Sequence, residues 1–290
     1  MVVQLPNFLI VGAPKCGTTA LYHYLGQHPQ VFLPKRKEPY YFVKPKAQIG
    51  KGPKDLTWEG MVDDAAEYRG LFSPATSHQG ALGEASAGYL YFHQSTIPRI
   101  KAELGDPRII IMLRDPVRRA FSSHIHHVRA GREELPFAGA WRMQGRRAEL
   151  GWWFGFQLRS VSTYAESVSA FKSAFSRVLV ILQEDLYRSR EATLRRVFSF
   201  LGLNEYQEID DLAVQNENLL PRSLLIDSAR NRLLAKYPGS MAALVETATK
   251  WNYFRPHLPE NAAAGYYRYF EDDLRETSSI IGRDLTNWLP

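Results

Sequence analysis

Three short apolar runs, uninterrupted by polar residues, constrain the fold most strongly. They span residues 8–11, 109–113 and 178–182, and turn or polar residues bound each of them. Apolar runs of this length that do not alternate with polar residues are typical of strands buried on both faces, as in a parallel sheet covered by helices. Residues 117–128, between the second and third runs, have apolar side chains at helical spacing. The alternation of strand and helix predicts an α/β fold with a central, mostly parallel sheet flanked by helices.

The chain is interpreted as a single domain over residues 1–290. Its 45% hydrophobic and 23% charged residues are sufficient for a sizeable core and a polar surface. Two long segments, near residues 43–60 and 131–160, leave the predicted scaffold, and such excursions often carry specificity. Further helices are predicted at residues 18–25, 165–174, 194–201, 223–236 and 262–280.

The charge balance and the cysteine count narrow the functional classes. Lysine and arginine number 36 against 30 aspartate and glutamate, a formal charge of +6 that suits an anionic ligand but does not indicate nucleic acid. The single cysteine, Cys16, excludes an intramolecular disulfide and a thiolate zinc cluster, which favours a cytoplasmic protein. The first residues lack the pattern of a signal peptide, and no stretch approaches the roughly 20 apolar residues of a membrane span. A homodimer is left open.

The first apolar run leads directly into a glycine loop, residues 12–19, and then into a helix that begins near Thr18. Unpaired backbone N–H groups at such a helix start, together with the helix dipole, bind an anion such as phosphate. The loop differs from that of nucleotide triphosphatases, because Thr18 follows Gly17 where those loops have lysine, and Lys15 lies inside the loop instead. No apolar strand ends in an evident magnesium-binding aspartate. A P-loop small-molecule kinase that uses ATP is therefore a disfavoured alternative. A second alternative is that the loop is a simple tight turn in which Lys15 is solvated.

A second basic motif follows the second apolar run. Residues 114–122 read Arg-Asp-Pro-Val-Arg-Arg-Ala-Phe-Ser, with Pro116 near the first turn of the predicted helix. This segment resembles the 3′-phosphate site, and residues 14–21 resemble the 5′-phosphosulfate loop, of sulfotransferases that use 3′-phosphoadenosine 5′-phosphosulfate (PAPS). The resemblance implies a three-layer, P-loop-like fold and transfer of the sulfonyl group of PAPS to a hydroxyl or amine, with PAP as product.

Other segments are similar to the heparan-sulfate-type branch of this family and its bacterial relatives. Ala85 and Ser162 depart from that pattern, since many relatives have a lysine and a glycine at these places, and this weakens an inference to a heparan-like polymer. A small molecule or a short glycan is the expected acceptor, for which the aromatic and basic residues of 141–159 would form a wall or would simply pack in the core. The similar segments are residues 38–42, 83–89, 184–186 and 282–289.

The resemblance and the chemistry of sulfonyl transfer together single out three catalytic side chains. Lys15 would neutralise the negative charge that develops as the sulfur–oxygen bond breaks. Glu38 would be the general base that takes the acceptor proton, with an ordinary surface glutamate as the alternative. His126 would face the acceptor in an auxiliary role. Its neighbour His124 is expected in the core, and no metal site is predicted, because no carboxylate or cysteine completes a ligand set.

Arg114 and Ser122 are expected at the 3′-phosphate of the donor, and Arg119 and Arg222 are candidates beside them. Arg114 offers a planar fork that can bind the phosphate bidentately, and Ser122 adds a hydroxyl donor. Arg119 either supports this site or is solvated. Arg222 either closes over the same phosphate or is a free surface charge.

The glycine loop is expected to bind the 5′-phosphosulfate end of the donor. The N–H groups of Gly17, Thr18 and Thr19 would contact it together with the ammonium of Lys15. Cys16 belongs to the same loop, where neighbouring positive charge could lower the pKa of its thiol. Alkylation of Cys16 would then block donor binding, and PAP would protect the thiol. The alternative is that Cys16 is simply a small residue of the loop.

Overall fold

The structure, a computed structural model, contains a central sheet of five parallel strands in the order β2-β3-β1-β4-β5. The residues it describes are 5–44, 50, 53, 60–203, 219–237, 240–258 and 260–289. The strands are β1 (Phe8–Gly12), β2 (Val31–Phe32), β3 (Ala81–Ala85), β4 (Arg108–Leu113) and β5 (Val178–Leu182).

The three apolar runs form the adjacent strands β1, β4 and β5, which confirms the α/β prediction. Leu9 pairs with Ile109 between β1 and β4, and Leu113 pairs with Leu182 between β4 and β5. All of β1 is buried, as expected of a strand with helices over both faces.

The sequence did not predict β2 and β3. Strand β3 contains Gly83 and Glu84, two residue types that are depleted in strands. The glycine has a packing reason, because a Cβ atom there would lie 2.2 Å from the ring of Phe8 on β1. The pairing of β3 with β1 therefore depends on the absence of a side chain at residue 83.

Twelve helices flank and follow the sheet within the described ranges. The predicted helix over 262–280 is in fact two helices, because the chain turns at Phe270, which is fully buried. The segment 131–160 contains α5, whereas most of 43–60 lies outside the described residues. The helices are α1 (Thr18–Leu25), α2 (Ala65–Gly70), α3 (His93–Leu104), α4 (Pro116–Arg129), α5 (Phe137–Glu149), α6 (Ala165–Ala174), α7 (Gln183–Arg188), α8 (Arg190–Leu201), α9 (Leu224–Lys236), α10 (Ser240–Thr249), α11 (Glu260–Tyr267) and α12 (Glu271–Ile281).

A small antiparallel pair, β6 (Leu220–Pro221) and β7 (Tyr253–Phe254), accompanies α9 and α10. In the described part of the chain, no helix combines the length and apolar character that crossing a membrane requires.

Helix α4 starts directly after β4 and places two of the predicted site residues. The carboxylate of Asp115 caps it by accepting the N–H of Val117 at 2.9 Å, and Pro116 occupies the first turn. Ser122 and His126 then lie one turn apart along this helix. The carboxyl ends of parallel strands meet at one edge of the sheet, so the residues that follow β1, β3 and β4 converge there.

Candidate active site

The glycine loop forms an anion site at the start of α1. The N-cap residue is Gly17, with φ of 93° and no side chain to cap the helix. The first N–H group with a carbonyl partner one turn earlier is that of Leu21, which donates to Gly17 at 3.0 Å. The N–H groups of Thr18 and Thr19 precede it and are therefore available to an anionic ligand.

Lys15 occupies the centre of this loop in a left-handed conformation, with φ of 68°. Such a conformation is costly for a residue with a side chain and is concentrated at functional sites. Burial lowers the pKa of Lys15 to about 8, with Glu38 opposing the change and the cations of Arg114 and Arg119 adding to it. The ammonium therefore lies among charged groups at the edge of the sheet.

Glu38 is held in place by its own contacts. Its Oε1 atom lies 2.8 Å from Nζ of Lys37, and its Oε2 atom accepts a hydrogen bond from the hydroxyl of Tyr40 at 3.0 Å. Its N–H donates to the carbonyl of Ala85, at the end of β3, at 2.9 Å. The side chain is only 20% exposed. These contacts contradict the alternative of an ordinary, freely solvated surface glutamate.

The charges of Lys15 and Glu38 both act on His126. The pKa of His126 is lowered to about 4. Desolvation is the main cause, the charges of Lys15 and Arg132 add to the shift, and the charge of Glu38 opposes it. The ring keeps contact with solvent at the rim of the site. Its imidazole is therefore neutral at physiological pH and can accept or donate a hydrogen bond without adding charge.

Arg114 lies directly behind the loop. Its Nη1 atom donates to the main-chain oxygen of Lys15 at 3.2 Å, and its own carbonyl accepts the hydroxyl of Tyr164 at 2.8 Å. Ser122 is buried two turns into α4. The structure thus brings Arg114, from the second predicted phosphate-binding motif, into contact with the glycine loop of the first.

Arg119 is completely buried, so the alternative that it is solvated was wrong. Its Nε atom donates to Oγ of Ser162 at 2.5 Å and its Nη2 atom to the carbonyl of Leu158 at 3.1 Å. Nη1 has no hydrogen-bond partner among the described residues. Because Arg119 acts electrostatically on both Lys15 and Cys16, it supplies positive charge from below the loop.

Cys16 differs from the expectation for its thiol. The residue is fully buried, and burial raises the pKa of the thiol to about 11, although Arg119 and Arg114 oppose the change. Its Sγ atom lies 3.9 Å from the hydroxyl of Tyr164. The prediction of a lowered pKa was wrong, because the loss of solvent outweighs the nearby cations. Cys16 packs beneath the loop.

Arg222 directly follows β6 and has an exposed side chain. Its guanidinium is 5.3 Å from the ring centre of Phe254, and its N–H donates to the carbonyl of Asn252 at 2.6 Å. No contact joins it to Arg114 or to the glycine loop within the described residues. Its role in donor binding stays a prediction.

The other histidines of α4 lie in aromatic surroundings. His124 is buried, with ring centres of Phe121 and Phe137 at 6.4 and 5.5 Å, which agrees with the predicted core position. His127 stacks on Phe156 at 4.0 Å. A search of the described residues finds no group of three or more histidine, cysteine, aspartate or glutamate side chains arranged to hold a metal ion.

The aromatic residues of the 131–160 segment are largely packed. Phe154 is 4% exposed and stacks on Tyr91 at 5.7 Å, with its edge toward Tyr40 at 6.2 Å. Trp152 lies 4.8 Å from the guanidinium of Arg147. These contacts favour the core-packing alternative for Phe154. Through its contact with Tyr40, Phe154 also packs against the segment that carries Glu38.

The comparisons with known proteins agree with this geometry. The model described as "Sulfotransferase family" matches residues 6–208. The chain belongs to the sulfotransferase family. The resemblance inferred from the sequence is thereby confirmed, and nothing in the comparisons supports the kinase alternative.

One solved structure is similar to this sulfotransferase along almost its whole length. It is a sulfotransferase from Alicyclobacillus acidocaldarius, with a TM-score of 0.71, 30% identity and 99% of each chain covered. Human carbohydrate sulfotransferase 15 is 27% identical over 255 residues, which are 70% of this chain and 45% of the human protein. Mouse heparan sulfate glucosamine 3-O-sulfotransferase 3A1 is 29% identical over 204 residues, 69% of this chain and 46% of that protein. The sulfotransferase thus spans about half the length of these curated relatives.

Two residues to which sequence reasoning gave no role also shape the site. Tyr164 joins the carbonyl of Arg114 to the loop beside Cys16. Glu84 is a carboxylate buried at the end of β3. The family resemblance already covered both places, Glu84 within residues 83–89 and Tyr164 two residues after Ser162, but it assigned a role to neither side chain.

Proposed function

We propose that this sulfotransferase transfers the sulfonyl group of PAPS to a hydroxyl, or an amine, of a small-molecule or carbohydrate acceptor such as a short glycan. The observation that carries the proposal is the convergence of Lys15, Glu38 and His126 at one edge of the sheet, where the charge of Glu38 acts on Lys15 and the charges of both act on His126. A cation, a carboxylate and a neutral imidazole around an anion-binding loop are the groups that a sulfonyl transfer needs.

The donor would bind along this edge with its two phosphorylated ends on different motifs. The N–H groups that open α1 suit the 5′ end, and the guanidinium of Arg114 with the hydroxyl of Ser122 suits the 3′-phosphate. This use of a 3′-phosphate is what separates PAPS from ATP. Lys15, within the loop that would bind the 5′ end, is placed to neutralise the phosphate that leaves.

Glu38 would take the acceptor proton. As the acceptor oxygen bonds to sulfur, the bond between sulfur and the bridging phosphate oxygen breaks, the proton passes to the carboxylate of Glu38, and PAP leaves with the bonding electrons. The hydroxyl of Tyr40 holds Oε2 of Glu38, so Oε1 is the oxygen that can turn from Lys37 to the acceptor. His126 would orient the acceptor by a hydrogen bond.

A carbohydrate or small-molecule acceptor is supported by the names of relatives, one described as a carbohydrate sulfotransferase and another as a heparan sulfate enzyme. Ala85 stands where many relatives have a lysine, which removes one cation that a polyanionic acceptor would contact. A short, weakly charged acceptor is therefore favoured over a heparan-like polymer. A cytoplasmic location and a homodimer stay predictions.

The test is turnover of ³⁵S-labelled PAPS with a panel of sugars, oligosaccharides and aryl alcohols, read as labelled product and as PAP released. Calorimetry with PAP and with Mg-ATP runs in parallel, and Glu38→Gln serves as the inactive control. Label transfer that needs wild-type Glu38, with PAP binding and weak ATP binding, is the expected result. Tight ATP binding without PAP binding would overturn the proposal.

A further inference from the structure

Glu84 forms a buried hydrogen-bond network beneath the loop that carries Glu38. The carboxylate is 1% exposed. Its Oε1 atom accepts the hydroxyls of Tyr89 at 2.8 Å and Tyr68 at 3.3 Å, and its Oε2 atom accepts the hydroxyl of Ser86 at 2.8 Å. Three hydroxyl protons therefore point at one carboxylate.

Two of these hydroxyls also hold the backbone of the segment that follows Glu38. Oγ of Ser86 accepts the N–H of Tyr40 at 3.1 Å, and the hydroxyl oxygen of Tyr89 accepts the N–H of Phe42 at 3.3 Å. A hydroxyl has a single proton, so one that donates to Glu84 must offer its lone pairs elsewhere. The carboxylate thus fixes both hydroxyls as acceptors for backbone N–H groups.

The segment held in this way is strained. Glu38 and Tyr40 have φ of 59° and 50°, left-handed values that cost residues with side chains about 1–3 kcal/mol each. Such a conformation persists only where its surroundings determine it. Tyr40 in turn donates its hydroxyl to Glu38, so a shift of its backbone would move the partner of the base.

We propose that Glu84 is a positioning residue for the general base, because its ionised carboxylate orients the hydroxyls of Ser86 and Tyr89 so that they hold residues 38–42 in the catalytic conformation. The proposal rests on the role of Glu38 in the proposed function and adds a residue that never touches the acceptor. The hydroxyl of Tyr68 binds the same carboxylate but holds no N–H group of the segment, which makes Tyr68→Phe a matched control.

The protonation of Glu84 provides a readout. Burial raises the pKa of Glu84 to about 7, the three hydroxyls oppose the change, and Glu38 adds to it. Tyr22 also faces it electrostatically. Protonated Glu84 would itself be a hydrogen-bond donor. It could then no longer accept hydrogen bonds from all three hydroxyls at once. The hydrogen-bond network around the ionised Glu84 is therefore complete above about pH 7 and is lost as the pH falls through that value.

The experiment measures kcat from below to above neutral pH, together with PAP affinity by calorimetry, for wild type, Glu84→Gln, Ser86→Ala and Tyr68→Phe. We expect Glu84→Gln to lower kcat by about tenfold to 100-fold, since misplacing a catalytic group by about 1 Å can cost about 100-fold. It should also lose the decline of kcat below neutral pH, while PAP affinity stays within about twofold because the hydroxyls that bind the Glu84 carboxylate belong to neither donor motif. Tyr68→Phe should keep both kcat and this decline.

Wild-type kcat in Glu84→Gln with an unchanged decline below neutral pH would overturn the positioning role, as would a parallel loss of PAP affinity. If Glu84→Gln fails to fold, Ser86→Ala decides, because it removes the acceptor of the Tyr40 N–H but leaves the carboxylate in place. Full kcat in Ser86→Ala would contradict the proposal that Glu84 positions residues 38–42 through the hydroxyl of Ser86. The proposed function is tested separately by wild-type PAPS turnover, since its failure would leave every variant without product.

Discussion

The Nη1 atom of Arg114 lies 3.2 Å from the main-chain oxygen of Lys15, although 99 positions separate the two residues in the chain. Each follows a different strand of the sheet, and β1 and β4 are hydrogen-bonded neighbours. The parallel arrangement therefore brings two distant basic motifs into contact at one edge of the sheet. The structure shows this relationship directly, and the function proposed above depends on it.

Arg114→Ala should weaken PAP binding far more than acceptor binding. A hydrogen bond to a charged group contributes about 1.5–3 kcal/mol, so the Kd for PAP should rise about tenfold to 100-fold in calorimetry. Arg118→Ala is the matched control, because the side chain of Arg118 is 75% exposed and forms an ion pair with Asp115 at 3.4 Å. Equal losses in donor and acceptor affinity would point to general misfolding.

The reaction should slow in mildly alkaline solution because Lys15 loses its proton. Burial lowers the pKa of Lys15 to about 8, so the charged form that stabilises the leaving phosphate is present below that pH and declines above it. The pH profile of kcat/KM for PAPS reports the free enzyme and should fall through about pH 8. Lys15→Arg, whose guanidinium keeps its charge, should be slower but lack this limb. A wild-type profile that stays flat above pH 8 would contradict the assignment.

Glu38→Gln should lower kcat by about 100-fold or more, the upper part of the range for a general base, while PAP affinity barely changes. Glu67→Gln is a suitable control, because Glu67 is an exposed carboxylate that pairs with Arg36 at 2.5 Å and is given no role in the reaction. Near-normal turnover in Glu38→Gln would remove Glu38 from the role of base.

Local sequence patterns were sufficient for the elements that carry the donor motifs. The helix predicted at 18–25 is α1 with the same bounds, and the one at 165–174 is α6. These segments combine apolar periodicity with clear starts, such as Gly17 before α1. The fold class followed because buried parallel strands leave a signature that helices and exposed strands do not.

The remainder depended on long-range contacts that no local pattern encodes. Strand β3 is stabilised by the packing of Gly83 on Phe8 and by hydroxyls that satisfy Glu84. The charges of Arg119 and Arg114 act on the thiol of Cys16, as the sequence suggested, but the thiol is fully buried. Burial of a titratable group is a property of the fold, so its pKa could not be read from neighbours in the chain.

Cys16 should resist alkylation in the folded protein. Its thiol is fully buried, and burial raises its pKa to about 11, so little thiolate is present or accessible at neutral pH. Iodoacetamide should label it only after urea unfolding, as read from intact mass, with or without PAP. This replaces the expectation of a reactive loop thiol protected by PAP. Rapid stoichiometric labelling of the native protein would contradict the buried position.

Breaking the buried salt bridge between Arg147 and Glu133 should lower the free energy of unfolding more than breaking the exposed pair between Arg146 and Glu149. Both side chains are nearly inaccessible, at 6% and 3% exposure, and two hydrogen bonds of 2.5 and 2.9 Å join them. Glu133→Gln leaves a buried cation without its countercharge, which should lower the free energy of unfolding by about 3–5 kcal/mol. Glu149→Gln is the control, because it breaks a pair with Arg146 that is 62% and 67% exposed and should cost less than about 1 kcal/mol. Urea titrations compare the two, and equal losses would mean that burial of the pair contributes nothing to its strength.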